Sequence, residues 1–128
     1  MIQEEFKFYK PCKLLQAYVR YYWVFNSCQM MNTYTFPIGC PQIIFHKRTP
    51  LFVPEFGTMQ DKLTISGQVN FSSHLQADGD VEMIVVVFYP HTMNMFLNTP
   101  ASSFYNQEIS SYDIEDKQLN ELAAQVFE

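Results

Sequence analysis

The stretch of sequence that points most directly to the fold lies at residues 36–46 and reads FPIGCPQIIFH. Pro37 and Pro41 each fix a backbone φ angle and remove a backbone donor, while Gly39 between them keeps its conformational freedom. These residues predict a rigid turn. The segment that follows, Gln42–His46, is apolar with a polar residue at each end, which predicts a short, half-buried strand.

Two longer segments strengthen the prediction of a β fold. Aromatic and β-branched residues dominate Tyr18–Phe25 and alternate between two faces, as is typical of a strand. Val81–Tyr89 is apolar on both faces, so we expect it at the centre of a sheet, covered on both sides. Asp78-Gly79 separates this segment from Ser72–Ala77 and predicts a hairpin in which the two strands pair.

The hydrophobic period changes from two to about 3.6 residues after Pro90, which indicates helices. A short helical face is predicted at Thr92–Leu97, and Thr99 can cap a second short helix. A last helix is predicted after Asp113 or Asp116, either of which can serve as its N-cap.

This order of elements predicts a mainly β fold of the α+β kind. We expect a cupin-like β-barrel or a curled antiparallel sheet, followed by C-terminal helices. Residues 1–90 would form the barrel, and residues 91–128 would form a helical part of the same domain.

Size, charge and cysteine content limit the possible classes of function. The chain has 128 residues, enough for one domain with its own core. Its net charge is −5 and its cations are scattered, so we do not expect it to bind duplex DNA by itself. The cysteines, Cys12, Cys28 and Cys40, lack metal or redox spacing and predict free thiols in a reducing cytosol.

The sequence also bears on the compartment. Glu4 and Glu5 occupy the region where a signal peptide would carry basic residues. The longest apolar run, Met83–Phe88, falls far short of the ~18 residues of a membrane span. We therefore expect a cytoplasmic protein without membrane contact.

Residues suited to catalysis or metal binding do not assemble into a known pattern. His46, His74 and His91 stand apart, without the alternation that places two ligands on one strand face. No serine lies in a GxSxG nucleophile elbow. The sequence thus predicts no catalytic residues, no metal and no cofactor, and a protein that is not an enzyme.

The aromatic content allows two interpretations. The chain contains 12 Phe and 8 Tyr, and aromatic walls with a few polar groups are what a small-molecule pocket requires. Alternatively, a small barrel needs large side chains simply to fill its interior. The pocket interpretation names six candidate ligand-binding residues: Tyr22, Trp23, Phe45, His46, Gln68 and Phe88.

The last predicted helix carries an apolar stripe. Leu119, Leu122, Ala123 and Val126 recur at helical spacing. We take Leu119, Leu122 and Val126 as candidates for a homodimer interface. The helix reaches Glu128 without a C-cap, so we expect the natural protein to continue.

Several short motifs, in order, resemble the N-terminal domain of AraC-type transcription regulators. They are the Pro37–Gly39 turn before Gln42–His46, Ser66-Gly67-Gln68, Phe88-Tyr89-Pro90-His91, and Pro100-Ala101-Ser102-Ser103-Phe104. The resemblance extends from about Pro11 to Leu122.

The resemblance implies a domain that senses a small-molecule effector, forms a homodimer, or does both. In that family two downstream helix-turn-helix motifs contact DNA, and this sequence lacks them. The resemblance also supports the cupin-like barrel and implies that residues 91–128 act as dimerisation or linker helices.

Two other functions remain open. The chain could be a ligand-free interaction module whose barrel interior is only a packed core. Less favoured is a small cupin-like enzyme that holds a metal at His46 together with His74 or His91.

Overall fold

The fold, given by a computed structural model, consists of two antiparallel sheets and a C-terminal helix. The structure describes residues 4–27, 31–35, 40–48, 51–60, 62–67, 72–90, 92, 107–110 and 117–126. The elements are β1 (Glu4–Tyr9), β2 (Val19–Ser27), β3 (Met31–Thr35), β4 (Gln42–His46), β5 (Leu51–Val53), β6 (Thr58–Gln60), β7 (Leu63–Ser66), β8 (Ser73–Ala77), β9 (Val81–Phe88), β10 (Glu108–Ser110) and α1 (Lys117–Gln125), with a 3₁₀ turn at Lys13–Leu15.

The larger sheet has six strands in the order β1-β2-β9-β4-β7-β10. The smaller sheet has four, in the order β3-β8-β5-β6. The mainly β fold with a C-terminal helix is therefore confirmed. In the part of the chain that the structure describes, the strands form two separate sheets and no closed barrel.

Strand β9 lies near the middle of the six-stranded sheet, as its apolar sequence predicts. It pairs with β2 on one side and β4 on the other. Its two sets of alternating side chains enter two different hydrophobic clusters, which are defined in the next two paragraphs. Burial of both faces is thus the physical reason for the uninterrupted apolar run.

The inner face of the six-stranded sheet is the face that meets the four-stranded sheet. The residues that form the inner cluster are Phe25, Cys40, Ile44, Leu51, Val53, Leu75, Ala77, Val81, Met83, Val85 and Val87. Because this cluster joins residues of both sheets, its burial is the main force that holds them together.

The outer face is the opposite face of the same sheet, and it is covered by α1. The buried residues of the outer cluster are Val19, Ile43, Phe45, Leu63, Ile65 and Phe88. Leu119, Ala123 and Val126 of α1 pack against them. The helix therefore docks through the apolar stripe that its sequence predicts.

The predicted hairpin around Asp78-Gly79 is wrong. The flanking strands form as expected, but β8 belongs to the smaller sheet and β9 to the larger one. The turn therefore connects the two sheets, because β9 finds its partners in β2 and β4 rather than in its neighbour along the chain.

The segment after Pro90 contains a strand as well as a helix. Glu108–Ser110 forms β10 at the edge of the six-stranded sheet, paired with β7. The helix expected at Thr92–Leu97, the one expected after Thr99, and the caps Asp113 and Asp116 lie outside the described residues. Within the described segments, no helix is both long and apolar enough to cross a membrane.

Candidate functional site

Three polar side chains form a hydrogen-bonded chain between the two sheets, and we call it the inner polar chain. His46 Nε2 lies 2.8 Å from Gln60 Oε1. Gln60 Nε2 donates to Glu108 Oε2 over 2.9 Å. His46 and Gln60 are only 4% and 2% exposed, and Glu108 is partly buried. Such a chain inside an apolar sandwich is the most distinctive chemical feature of the protein.

The strand register explains why His46 and Glu108 lie on the same face of the six-stranded sheet. Directly opposite residues on paired strands share a face. His46 pairs with Met83 of the inner cluster, and Glu108 pairs with Ser66. Ser66 in turn pairs with Gln42 on β4. His46 and Glu108 therefore both lie on the inner face, on the two strands that flank β7.

Gln60 spans the gap between these strands from the opposite sheet. Two strands that flank a third are about 10 Å apart, too far for a direct histidine–carboxylate bond. Gln60 ends β6, at the edge of the smaller sheet, and its amide bonds to both partners. The amide thus links the two sheets by polar contacts where the apolar cluster ends.

The surroundings of Glu108 favour its neutral form. Burial raises the pKa of Glu108 to about 7, and the hydrogen bond from Gln60 only partly offsets this effect. Among the described residues, no cation forms an ion pair with this carboxyl group. Glu108 can therefore change its charge near neutral pH.

Two further oxygens beside the chain are acceptors without a described partner. Glu108 Oε1 and Thr64 Oγ1 are both buried, and neither has a hydrogen-bond partner in the described part of the chain. Thr64 pairs with Ile44 of the inner cluster, so it lies on the same face as the chain. Buried polar atoms of this kind cost stability unless another group satisfies them.

Of the six residues predicted to line a pocket, the five that the structure describes lie on two different faces of the six-stranded sheet. His46 is in the inner polar chain, and Trp23 packs against the inner cluster. Phe45, Phe88 and Tyr22 belong to the outer face, and Gln68 lies outside the described residues. The sheet itself separates the two groups.

Tyr22 lies at the outer face, where it packs against the outer cluster. Partial burial raises the pKa of its phenol. Its neighbour Trp23 has the opposite orientation, because successive residues of a strand point to opposite faces.

The three candidate interface residues on α1 also differ in what surrounds them. Leu119 and Val126 pack against the outer cluster of their own chain. Leu122 is 48% exposed. Of the three candidates, Leu122 is therefore the one whose side chain is presented to solvent.

The histidines do not form a metal centre in the described part of the structure. His74 bonds to Glu55 at the surface, with 2.7 Å between Nδ1 and Oε2. The backbone and side-chain hydrogen bonds from His74 lower the pKa of Glu55. His91 lies outside the described residues, and the described residues contain no group of three metal-binding side chains.

A second polar contact joins Arg20 to the buried Cys40. Arg20 Nη1 lies 3.5 Å from Cys40 Sγ, and this contact raises the pKa of the guanidinium above its usual value. The same guanidinium lies 5.6 Å from the ring centre of Tyr21, which contacts Phe8 edge to face. This group places an aromatic surface beside β1, where Phe8 is 63% exposed.

Sequence reasoning missed Gln60 and Glu108. Each ends or begins a three-residue strand, β6 or β10, that is too short to show an alternating pattern. Gly57 is the local feature that could have indicated a strand at Gln60, since it turns the chain from β5 into β6 with a positive φ of 66°. Nothing near Glu108 marks it as a partner of His46.

A comparison with protein-family models matches residues 7–110 to a family described as a domain of unknown function, DUF6597. The matched range contains all three members of the inner polar chain. No significant match exists among curated proteins or solved structures.

Proposed function

The chain belongs to the DUF6597 domain family, and from its sequence motifs we propose that it is the effector-sensing and dimerisation domain of an AraC-type regulator. The domain would act in the cytoplasm without catalysis, cofactor or metal. A further domain of the parent protein would contact DNA. The net charge of −5 agrees with this division, because duplex binding requires clustered cations.

One observation supports a sensing role above the others. The neighbouring residues Phe45 and His46 of β4 face opposite sides of the six-stranded sheet. His46 belongs to the inner polar chain, and Phe45 belongs to the outer cluster on which α1 packs. A shift of β4 caused by a ligand bound at the inner polar chain would therefore act directly on the surface that α1 contacts.

The chemistry of the inner polar chain favours an effector with hydrogen-bond donors. Glu108 Oε1 and Thr64 Oγ1 are buried acceptors without described partners. A ligand with hydroxyl or amino groups would satisfy them. It would act as a switch only if it binds one arrangement of α1 more tightly than another.

A panel of metabolites tests the effector role by thermal unfolding. A true effector at about 100 times its dissociation constant should raise Tm by about 5 °C or more. Gln60→Met should abolish that shift, while Leu122→Ala, a change on the far side of α1, should keep it. A panel without any shift, or a shift unaffected by Gln60→Met, would contradict an effector site at the inner polar chain.

The regulator assignment has a separate test in the native gene. We expect the reading frame to continue beyond the codon for Glu128 into about a hundred residues with paired helix-turn-helix patterns. A stop codon at that position would favour a stand-alone module.

A ligand-free interaction module is the second candidate function. The exposed Leu122 on a helix whose other apolar residues are packed supports this alternative. In that case Leu122→Glu should give a folded chain with a lower sedimentation coefficient than the wild type.

A further inference from the structure

The hydrogen bonds of the inner polar chain run in one direction. His46 Nε2 faces the amide oxygen of Gln60, so it must be the donor. The amide nitrogen then donates to Glu108 Oε2. This arrangement requires an ionised or accepting carboxyl group at one end and a ring proton on Nε2 at the other.

A proton on Glu108 Oε1 would leave this direction unchanged, but it would be a buried donor without a described acceptor. A proton on Oε2 conflicts with the direction. The neutral acid would be a donor there, and it would face the N–H of the amide. Rotation of the Gln60 amide by about 180° removes the conflict, because its oxygen then accepts from Glu108. The amide nitrogen would then face His46 Nε2, which must become an acceptor.

We propose that the inner polar chain is a proton-binding site in which uptake of one proton by Glu108 rotates the Gln60 amide and moves the ring proton of His46 from Nε2 to Nδ1. The balance is simple. Solvent supplies one proton, which forms an O–H bond at Glu108 Oε2. The imidazole stays neutral, because its Nε2 proton is released to solvent and Nδ1 takes up one proton from solvent. The net uptake by the site is therefore one proton.

The surroundings of Glu108 place this event near neutral pH. The carboxyl group is largely removed from water, and its pKa of about 7 reflects that burial. Strand β7 faces it with Thr64 and Ser66, and β6 faces it with Gln60, none of which titrates. The described titratable group that the inner polar chain connects to Glu108 is His46 on β4, through Gln60.

Reversal of the chain changes what the site can recognise. At high pH Glu108 is anionic and accepts from Gln60, and at low pH it is neutral and its one proton is donated to Gln60. As a statement about regulation, this inference rests on the proposed sensing function. Proton binding itself is measured without effector or DNA, so either proposal can fail while the other holds.

Nuclear magnetic resonance of the whole chain provides the test. Long-range ¹H–¹⁵N spectra identify the tautomer of each histidine, and ¹³C spectra follow the carboxyl group of Glu108 from pH 5 to pH 9. We expect His46 to be the Nε2–H tautomer above pH 8 and the Nδ1–H tautomer below pH 6. The midpoint of this tautomer change should coincide with the titration midpoint of Glu108, within about one unit of pH 7.

Three variants make the test specific. Glu108→Gln should give a His46 tautomer that does not change with pH. Gln60→Met should leave Glu108 titrating while His46 no longer follows it. The control Glu55→Gln removes a surface carboxylate at His74 and should leave the coupled titration of His46 and Glu108 unchanged.

The wild-type titration is decisive even where a variant fails to fold. A His46 that keeps one tautomer while Glu108 titrates would overturn the proposed reversal. So would a His46 that becomes doubly protonated in the same pH range, or a Glu108 midpoint below about pH 5.

Discussion

At the scale of single residues, Thr64 shows how the inner face departs from an ordinary apolar core. Its side chain is 2% exposed, and its hydroxyl has no described hydrogen-bond partner. A buried hydroxyl without a partner costs about 1–3 kcal/mol relative to one that is satisfied. Such a cost at the inner polar chain is consistent with a site that is completed by another group.

We expect Thr64→Val to raise the free energy of unfolding by about 1 kcal/mol, because it replaces the hydroxyl with a methyl group of similar size. Urea denaturation measures the change. The opposite kind of change at another position, Val87→Thr in the inner cluster, should lower the free energy of unfolding by about 1–2 kcal/mol. A loss of stability in Thr64→Val would show that the hydroxyl is hydrogen-bonded.

At the scale of elements, the turn between β5 and β6 positions Gln60. Gly57 donates its N–H to the carbonyl oxygens of Val53 and Pro54 at 2.9 and 3.0 Å. Its φ of 66° lies in the left-handed region that favours glycine. The turn therefore fixes where the short strand β6, and with it the amide of Gln60, meets the larger sheet.

Gly57→Ala should destabilise the protein by about 1 kcal/mol, because alanine adopts a positive φ only with strain. Space is not the cause, since a Cβ atom there would meet nothing within 4 Å. Gly57→Asn should cost less, since asparagine tolerates this conformation better. Equal stability of all three chains in urea denaturation would contradict the argument.

The helix α1 provides a second prediction at this scale. Leu119→Ala should lower the free energy of unfolding by about 1–2 kcal/mol, since Leu119 is partly buried against the outer cluster. Leu122→Ala should change it by about 0.5 kcal/mol or less, because that side chain is half exposed. Chemical denaturation compares the two variants at a concentration where the chain is monomeric.

At the scale of the whole molecule, the charge state of Glu108 links pH to stability. The folded state holds its proton up to about pH 7, whereas the unfolded chain releases it near the ordinary value of 4.5. Between these two values the folded state binds more protons than the unfolded state. The free energy of unfolding therefore falls as pH rises from about 4.5 to about 7, and this group contributes no further change above that range.

We expect this loss to amount to about 1–3 kcal/mol in the wild type. Glu108→Gln should remove that part of the slope, so that the variant is the more stable chain at pH 8. The control Glu55→Gln should keep the slope, because the lowered pKa of Glu55 moves its own contribution below pH 4.5. Parallel slopes for the wild type and Glu108→Gln would contradict the raised pKa.

The sequence by itself determined most of the local structure. Alternation and apolar runs predicted β2, β4, β8 and β9 within one or two residues, because burial on one or both faces leaves a period-two pattern. The apolar stripe of α1 predicted the helix in the same way. His46, one of the candidate residues from the sequence, lies in the inner polar chain, but its partners Gln60 and Glu108 were not among the candidates.

Only the tertiary structure decided how these strands combine. Pairing of β9 with β2 and β4, rather than with β8, depends on contacts between residues far apart in sequence, which alternation does not encode. The same is true of the inner polar chain. Gln60 and Glu108 lie in three-residue strands of different sheets, and only the packing of one sheet on the other brings them to His46.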